Sequence, residues 1–179
     1  MKAQFWSFDV IFAMVIFGTA LVLLTFAWSS MSGQLSSTYG LGLQNMQAQA
    51  QSLQSRILTP GSPQDWASQV NISNTGSWSN VSIGLGTGSG SQLSLAKIYT
   101  LAAMTNHNST SYQATKQLIG VGYDYYIVIS TGNVTLAMGS YPFNKNPYAI
   151  QTATKSATLD GRPATVQIMI WTNKSFGVS

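Results

Sequence analysis

Apolar residues fall along this chain in three regimes: one unbroken block, one narrow stripe, then short alternating runs. Val10 to Trp28 is a stretch of nineteen consecutive positions without a charge. A helix from Phe5 to Trp28, rising about 1.5 Å per residue, is long enough to cross a hydrocarbon core of roughly 30 Å. It is apolar on every face, so it is predicted to lie in lipid or among other helices. Ser29 to Tyr39 is small and polar but contains no proline. From Leu41 the pattern turns amphipathic. Leu43, Met46, Ala50, Leu53 and Ile57 recur at three- and four-residue steps, one apolar stripe on a Gln-rich helix. Thr59-Pro60-Gly61 stops it. A helix from Phe5 to Leu58 would be about 80 Å long, with Gly33, Gly40 and Gly42 as the places to bend.

Beyond the stop signal the pattern predicts strands and turns. Pro63-Gln64-Asp65-Trp66 reads as a turn or helical start with a buried Trp. Ser77 to Leu85 reads as a strand packing Trp78, Val81 and Ile83. Gly84, Gly86, Gly88 and Gly90 sit in a Gly/Ser/Thr run that reads as a flexible loop. It is not a phosphate loop, since no lysine stands at the required position. Leu93 to Met104 and Thr110 to Leu118 are predicted as short helices covering one face of a sheet. Two hairpins follow. Gly122 to Ser130 and Asn133 to Met138 flank Thr131-Gly132, and Ile150 to Leu159 and Pro163 to Trp171 flank Asp160-Gly161. Tyr123, Tyr125, Ile127 and Ile129 share one face with Val134, Leu136 and Met138 of the partner strand. Val166, Ile168 and Ile170 point one way, leaving Gln167, Met169 and Trp171 on the other. That Met/Trp row is either a contact surface or covered by an adjoining helix. The fold class expected is α+β: a long N-terminal hydrophobic helix, then a single antiparallel β-rich domain with short covering helices. The division expected is a leader over 1–4, a helix over 5–58 and a β-rich domain over 59–179. The helix is hydrophobic over 5–28 and amphipathic over 41–58.

Composition narrows the chemistry. Only 7% of residues are charged, glutamate and cysteine are absent, and there are four acidic residues and one histidine. Neither disulfides nor thiolate metal sites are available, and this is a poor palette for acid–base catalysis. Asp65, Asp124, Asp160 and His107 lie in four separate contexts, so no catalytic or metal site and no cofactor is expected. The net charge of +4 is spread without a Lys/Arg run, which gives no nucleic-acid footprint. Lys2 lies before the apolar block and the next basic residue is Arg56, so the positive-inside tendency puts the N-terminus in the cytoplasm and the bulk outside. Asn71, Asn80, Asn108, Asn133 and Asn173 each open an N-x-S/T sequon. They are either acceptors on an exported glycoprotein or chance products of a Ser/Thr-rich chain. The apolar block exceeds the roughly 7–15 residues of a secretory h-region and lacks a small-x-small cleavage site after it, so it is expected to stay with the mature protein.

Lys2-Ala3-Gln4, the uninterrupted apolar helix, its polar continuation and the β-rich C-terminal part together resemble the archaeal type IV pilin-like proteins, which carry class III signal peptides. The resemblance spans the whole architecture, while residue-level matching is confined to the first thirty positions. It implies a cut by a prepilin peptidase between Ala3 and Gln4, before the hydrophobic helix. Many pilins carry a glutamate five residues into the mature helix. This chain has Asp9, sixth after that cut and fifth after a cut behind Gln4. The resemblance implies that the Asp9 carboxylate meets the N-terminal amine of a neighbouring subunit. Equally open from the residues alone is a hydrated Asp9 near the headgroups, complementing the positive end of the helix. Phe5, Trp6, Phe8 and Phe12 are either interfacial belt residues or packing residues of a filament core.

The function expected from these features is structural. The chain would be a subunit of a type IV pilus-like surface filament, adhesion being one possible role, and would form a helical homopolymer with the β-rich domain outside. It would be held in the membrane before a pilus assembly platform draws it into the filament. The alternative, from a different class, is a single-pass membrane-anchored extracellular binding protein that does not polymerise.

Overall fold

The computed structural model describes residues 3–88, 90–132 and 134–176, with side chains from Phe8 onward except those of Leu35 and Thr38. Lys2 and Asn133, two of the residues singled out above, lie outside the described set. Ten elements follow in order: helix α1 (Ala3–Ile57), the one-turn helix α2 (Trp66–Gln69), a 3-10 turn (Thr75–Trp78), strand β1 (Gln92–Leu93), helices α3 (Leu95–Asn106) and α4 (Ser109–Ile119), and strands β2 (Asp124–Thr131), β3 (Val134–Gly139), β4 (Ala149–Leu159) and β5 (Arg162–Thr172). The fold class is α+β, and a long N-terminal apolar helix followed by a β-sheet domain is a pilin-like architecture.

The chain divides into two compact units, with the boundary at Leu41/Gly42. The boundary lies inside α1, so the stop at Thr59-Pro60-Gly61 ends the helix without marking the division between units. The α-helical assignment of α1 runs without interruption through Gly33, Gly40 and Gly42. Glycine lowers helix stability by about 1 kcal/mol but does not forbid helical backbone angles. Nothing packs within 4 Å of where a side chain would stand at Gly33 or Gly40. In the polar stretch the Ser32 hydroxyl donates back to the Ser29 carbonyl at 3.1 Å.

The second unit is built on a five-stranded sheet in the order β1-β4-β5-β2-β3, antiparallel except where β1 runs alongside the end of β4. The register sets Ile127 opposite Ile168 on one side and Met138 on the other, and Ile129 opposite Val166 and Leu136. Tyr125, Ile127, Ile129, Val166, Ile168 and Ile170 thereby form one buried face. On it lie Met46, Ala50, Leu53 and Ile57 of α1 and Ile98, Leu101 and Met104 of α3, in a single core. The amphipathic half of α1 is therefore a core helix of this unit. Its last turn is tied down by Arg56, whose Nη1 donates to the Ile119 carbonyl at 2.8 Å. Asn108 caps α4 by accepting from the Ser111 N–H at 2.8 Å. Gly120 ends the same helix in the left-handed conformation glycine favours.

Two sequence expectations are corrected here. Ser77 to Leu85 is not a strand: the 3-10 turn covers Thr75–Trp78, and only a single bridge, Ser62 to Ser82, follows. The reason lies in its partners. No strand runs alongside this segment: Ser82 exchanges two hydrogen bonds with Ser62, the Leu85 N–H donates to the Ile57 carbonyl in the last turn of α1 at 2.7 Å, and just beyond it the Gly86 N–H donates to Thr59 at 2.8 Å. The glycine run is likewise not a loose loop at its start. Gly84 and Gly86 are buried, and a Cβ at either would overlap the carbonyl oxygens of Thr59 and Leu58. Glycine is there for close backbone approach.

Candidate functional site

In α1 the large apolar side chains between Phe8 and Met31 are exposed around the whole circumference. Phe8 and Phe12 are among them, and Asp9 is exposed between them. Ala3, Gln4, Phe5 and Trp6 lie in the first turns of α1, their side chains outside the described set. The most apolar eighteen-residue window of the helix has a mean hydropathy of 2.6, which is long and apolar enough to cross a membrane. No other described feature rivals this surface in extent. Fifteen large apolar side chains lie exposed between Phe8 and Met31. At about 1.5–3 kcal/mol for each side chain left unburied, they represent tens of kcal/mol. An N-terminal helix of this length and apolarity suggests a membrane or secretion segment.

In the second unit four of the five sequons are described. Asn71, Asn80, Asn108 and Asn173 are all exposed. Asn71 and Asn108 use the side-chain oxygen, toward Ser73 N–H at 3.0 Å and Ser111 N–H at 2.8 Å. Their amide nitrogens, where a glycan attaches, keep no protein partner among the described hydrogen bonds. His107 is exposed at the end of α3.

Between α4 and β2 the structure gathers a small polar cluster that sequence spacing does not reveal. Asp124 accepts from Lys116 Nζ and from the Tyr112 hydroxyl, each at 3.0 Å. The Tyr112 ring stacks on Tyr125, centroids 5.4 Å apart. Burial pushes the Tyr112 hydroxyl well above the ordinary tyrosine range, and the neighbouring Asp124 charge adds to this although the Tyr125 N–H opposes it. Tyr125 is raised too, chiefly by burial. An open cleft of about 240 Å³ adjoins the cluster, lined by Lys116, Tyr123, Asp124, Asn173, Lys174 and Phe176. Here Asp124 is already engaged by a cation and a hydroxyl. Among the described residues no three His, Cys, Asp or Glu side chains come together to hold a metal ion.

Lys97 is the residue most at odds with its sequence position. On α3 it is only 7% exposed. Its ammonium donates to the Pro60 carbonyl at 2.6 Å and the Gly86 carbonyl at 2.9 Å. Burial lowers its pKa, with Asp65 partly offsetting. The signal available in sequence was a lone lysine on the apolar face of an otherwise good amphipathic helix.

The Met169/Trp171 row is covered only at Trp171, and not by the adjoining helix that is the alternative to a contact surface. That side chain is buried, and its Nε1 donates to the Ser140 carbonyl at 2.9 Å. The cover is the loop between β3 and β4, not a helix. Met169 stays half-buried on the same sheet face. The loop continues into an exposed aromatic tip, Tyr126 meeting Tyr141 edge-on at 5.3 Å and Tyr141 meeting Phe143 at 5.4 Å.

No protein-family model, no curated protein and no solved structure matches this chain.

Proposed function

We propose that this protein is a structural subunit of a type IV pilus-like surface filament, with α1 packing in the filament core and the β-sheet unit outside. The observation that carries this is the circumferential exposure of the apolar side chains from Phe8 to Met31, beside a second unit whose core is already closed by the last turns of the same helix. A helix apolar on all sides is satisfied equally by lipid and by copies of itself, so it can pass from membrane to bundle with little change in its contacts. Gly18, Ala20 and Ala27 allow close helix approach, and a Cβ at Gly18 would meet nothing within 4 Å.

In this scheme the precursor sits in the membrane with its N-terminus in the cytoplasm, a prepilin peptidase cuts between Ala3 and Gln4, and an assembly platform stacks the mature chains. Asp9 pairs with the new amine of a neighbouring copy. The exposed sequons Asn71, Asn80, Asn108 and Asn173 lie on the outer unit, where glycans would coat the filament. The work is mechanical and needs neither catalyst nor cofactor.

The test is mass spectrometry of the N-terminal peptide in material sheared from the cell surface. A peptide beginning at Gln4 in a filamentous high-mass fraction is the expected result. An intact Met1 confined to the membrane fraction overturns it in favour of a non-polymerising anchored protein.

A further inference from the structure

The two ends of the sheet in the second unit carry complementary features. At one end, where β3 leaves at Gly139 and β4 enters at Ala149, the connecting loop raises Tyr141 and Phe143, 45% and 58% exposed. They stack edge-to-face on each other, so the tip is a preformed aromatic knob and not two loose side chains. Lys145 follows, exposed and with no ion pair among the described residues.

At the opposite end the strands turn at Gly132 and at Asp160-Gly161, since Thr131 pairs with Val134 and Leu159 with Arg162. There α3 and the sheet leave a hollow of about 410 Å³, walled by Leu95, Tyr99, Val134 and Leu136, with Asp160 and Arg162 on its rim. Tyr99 and Val134 are 56% and 54% exposed although they lie beside the core. The hollow is lined mainly by apolar side chains, with Thr131, Arg162 and the Asp160 carboxylate, which makes no ion pair among the described residues, also in its lining.

We infer that the Tyr141/Phe143 tip of one copy seats in the Leu95/Tyr99/Val134/Leu136 hollow of the next, with Lys145 facing Asp160. Knob and hollow are at opposite ends of strands eight to eleven residues long, about 25–35 Å apart at ~3.3 Å per residue. They do not face each other within one chain. A contact joining unlike patches is heterologous and repeats from copy to copy without a two-fold axis. That is the symmetry a filament requires, and the occupant is chosen on that ground, so the inference rests on the filament reading. Lys145 against Asp160 supplies opposite charges at the rim, and Arg162, of the same sign as Lys145, excludes the approach from its own side. Buried aromatic anchors of this kind carry most of the energy of protein contacts.

The chain lacks cysteine, so an introduced pair gives an unambiguous readout. Two full-length single variants, Asn144→Cys beside the tip and Ala96→Cys beside the hollow, are co-expressed, oxidised on intact cells, and the membrane and sheared fractions are analysed by mass spectrometry. Both sites are exposed and leave the aromatic tip and the apolar walls intact, and wild-type membrane levels of each variant verify folding. A 144–96 disulfide requires Cα atoms within about 7 Å, so the linked peptide is expected at least about tenfold above either homodimer. Lys145→Glu is expected to lower the linkage several-fold at low salt and less at high salt. Filaments at wild-type yield without the linkage overturn the head-to-tail contact and leave the filament reading intact. Linkage in membranes with no filament anywhere overturns the filament reading and keeps the contact. Homodimers in place of the mixed pair mean a two-fold interface and overturn the contact proposed.

Discussion

The Lys97 ammonium, buried in α3, donates to the carbonyl oxygen of Pro60 at 2.6 Å, across 37 residues of sequence. The same nitrogen reaches Gly86. One side chain thus joins the helix stop after α1 to the glycine-containing segment that pairs with it. A carbonyl oxygen has a second lone pair, but an ammonium withdrawn from water needs every partner it can find.

Replacing Lys97 with Met keeps the stem and removes the donor. The expected loss is about 1.5–3 kcal/mol, the range for hydrogen bonds to a charged group. Urea unfolding of the full chain in detergent measures it, and an unchanged midpoint would show that the two carbonyls do not depend on the lysine.

Alkaline pH should unfold the second unit through its tyrosines. Tyr112 and Tyr125 have folded pKa values raised above the ordinary 10.0, so their contribution is fully present below pH 10 and is lost as pH climbs from there towards the folded values. Lys97 acts in the opposite sense. Its folded pKa lies below 10.5, the unfolded chain binds its proton more tightly, and stability rises with pH between the two values. That gain ends near 10.5, while the tyrosine loss continues. Tyr125→Phe should flatten the fall above pH 10, which a melting series from pH 8 to 12 reads directly.

Two glycine substitutions should act in opposite directions. Gly84→Ala places a Cβ against the Thr59 carbonyl, backbone that moves only with the helix end, and is expected to cost about 1–3 kcal/mol or more. Gly33→Ala meets open space inside α1 and should stabilise the helix by about 0.5–1 kcal/mol. Thermal unfolding compares them, and a destabilising Gly33→Ala would mean that this part of α1 has packing partners.

Asp9→Ala should lower filament yield about tenfold, equivalent to about 1.4 kcal/mol, with the melting of the second unit unchanged. Quantifying sheared subunit against membrane-held subunit separates assembly from folding. Wild-type filament yield in this variant would remove the intersubunit role proposed for the carboxylate.

Local pattern was enough where one element's own periodicity decides its fate. The apolar block, the Met46-Ala50-Leu53-Ile57 stripe, both hairpins and the alternation of Ile127 and Ile129 against Val166 and Ile168 were legible, because burial on one face imposes a period of 3.6 or 2 on the residues themselves. The Ser77–Leu85 segment was misleading for the converse reason. Its Trp78, Val81 and Ile83 alternate well enough for a strand, yet its long-range backbone hydrogen bonds go to isolated partners, Ser62, Ser94 and Ile57 at the end of α1, which no local window contains. Strand β1, two residues long, left no periodic trace at all.

The candidate surfaces divide along the same line. The apolar helix, Asp9 and the sequons are properties of contiguous residues, and the sequence by itself determined them, because a run without charges or an N-x-S/T triplet means the same wherever the chain goes. Lys97 beneath two carbonyls, Trp171 covered by Ser140, and the aromatic tip opposite an apolar hollow were decided only by tertiary structure. Each depends on which distant segments meet, and that is set by the closure of one common core, in which a side chain's surroundings come from several elements at once.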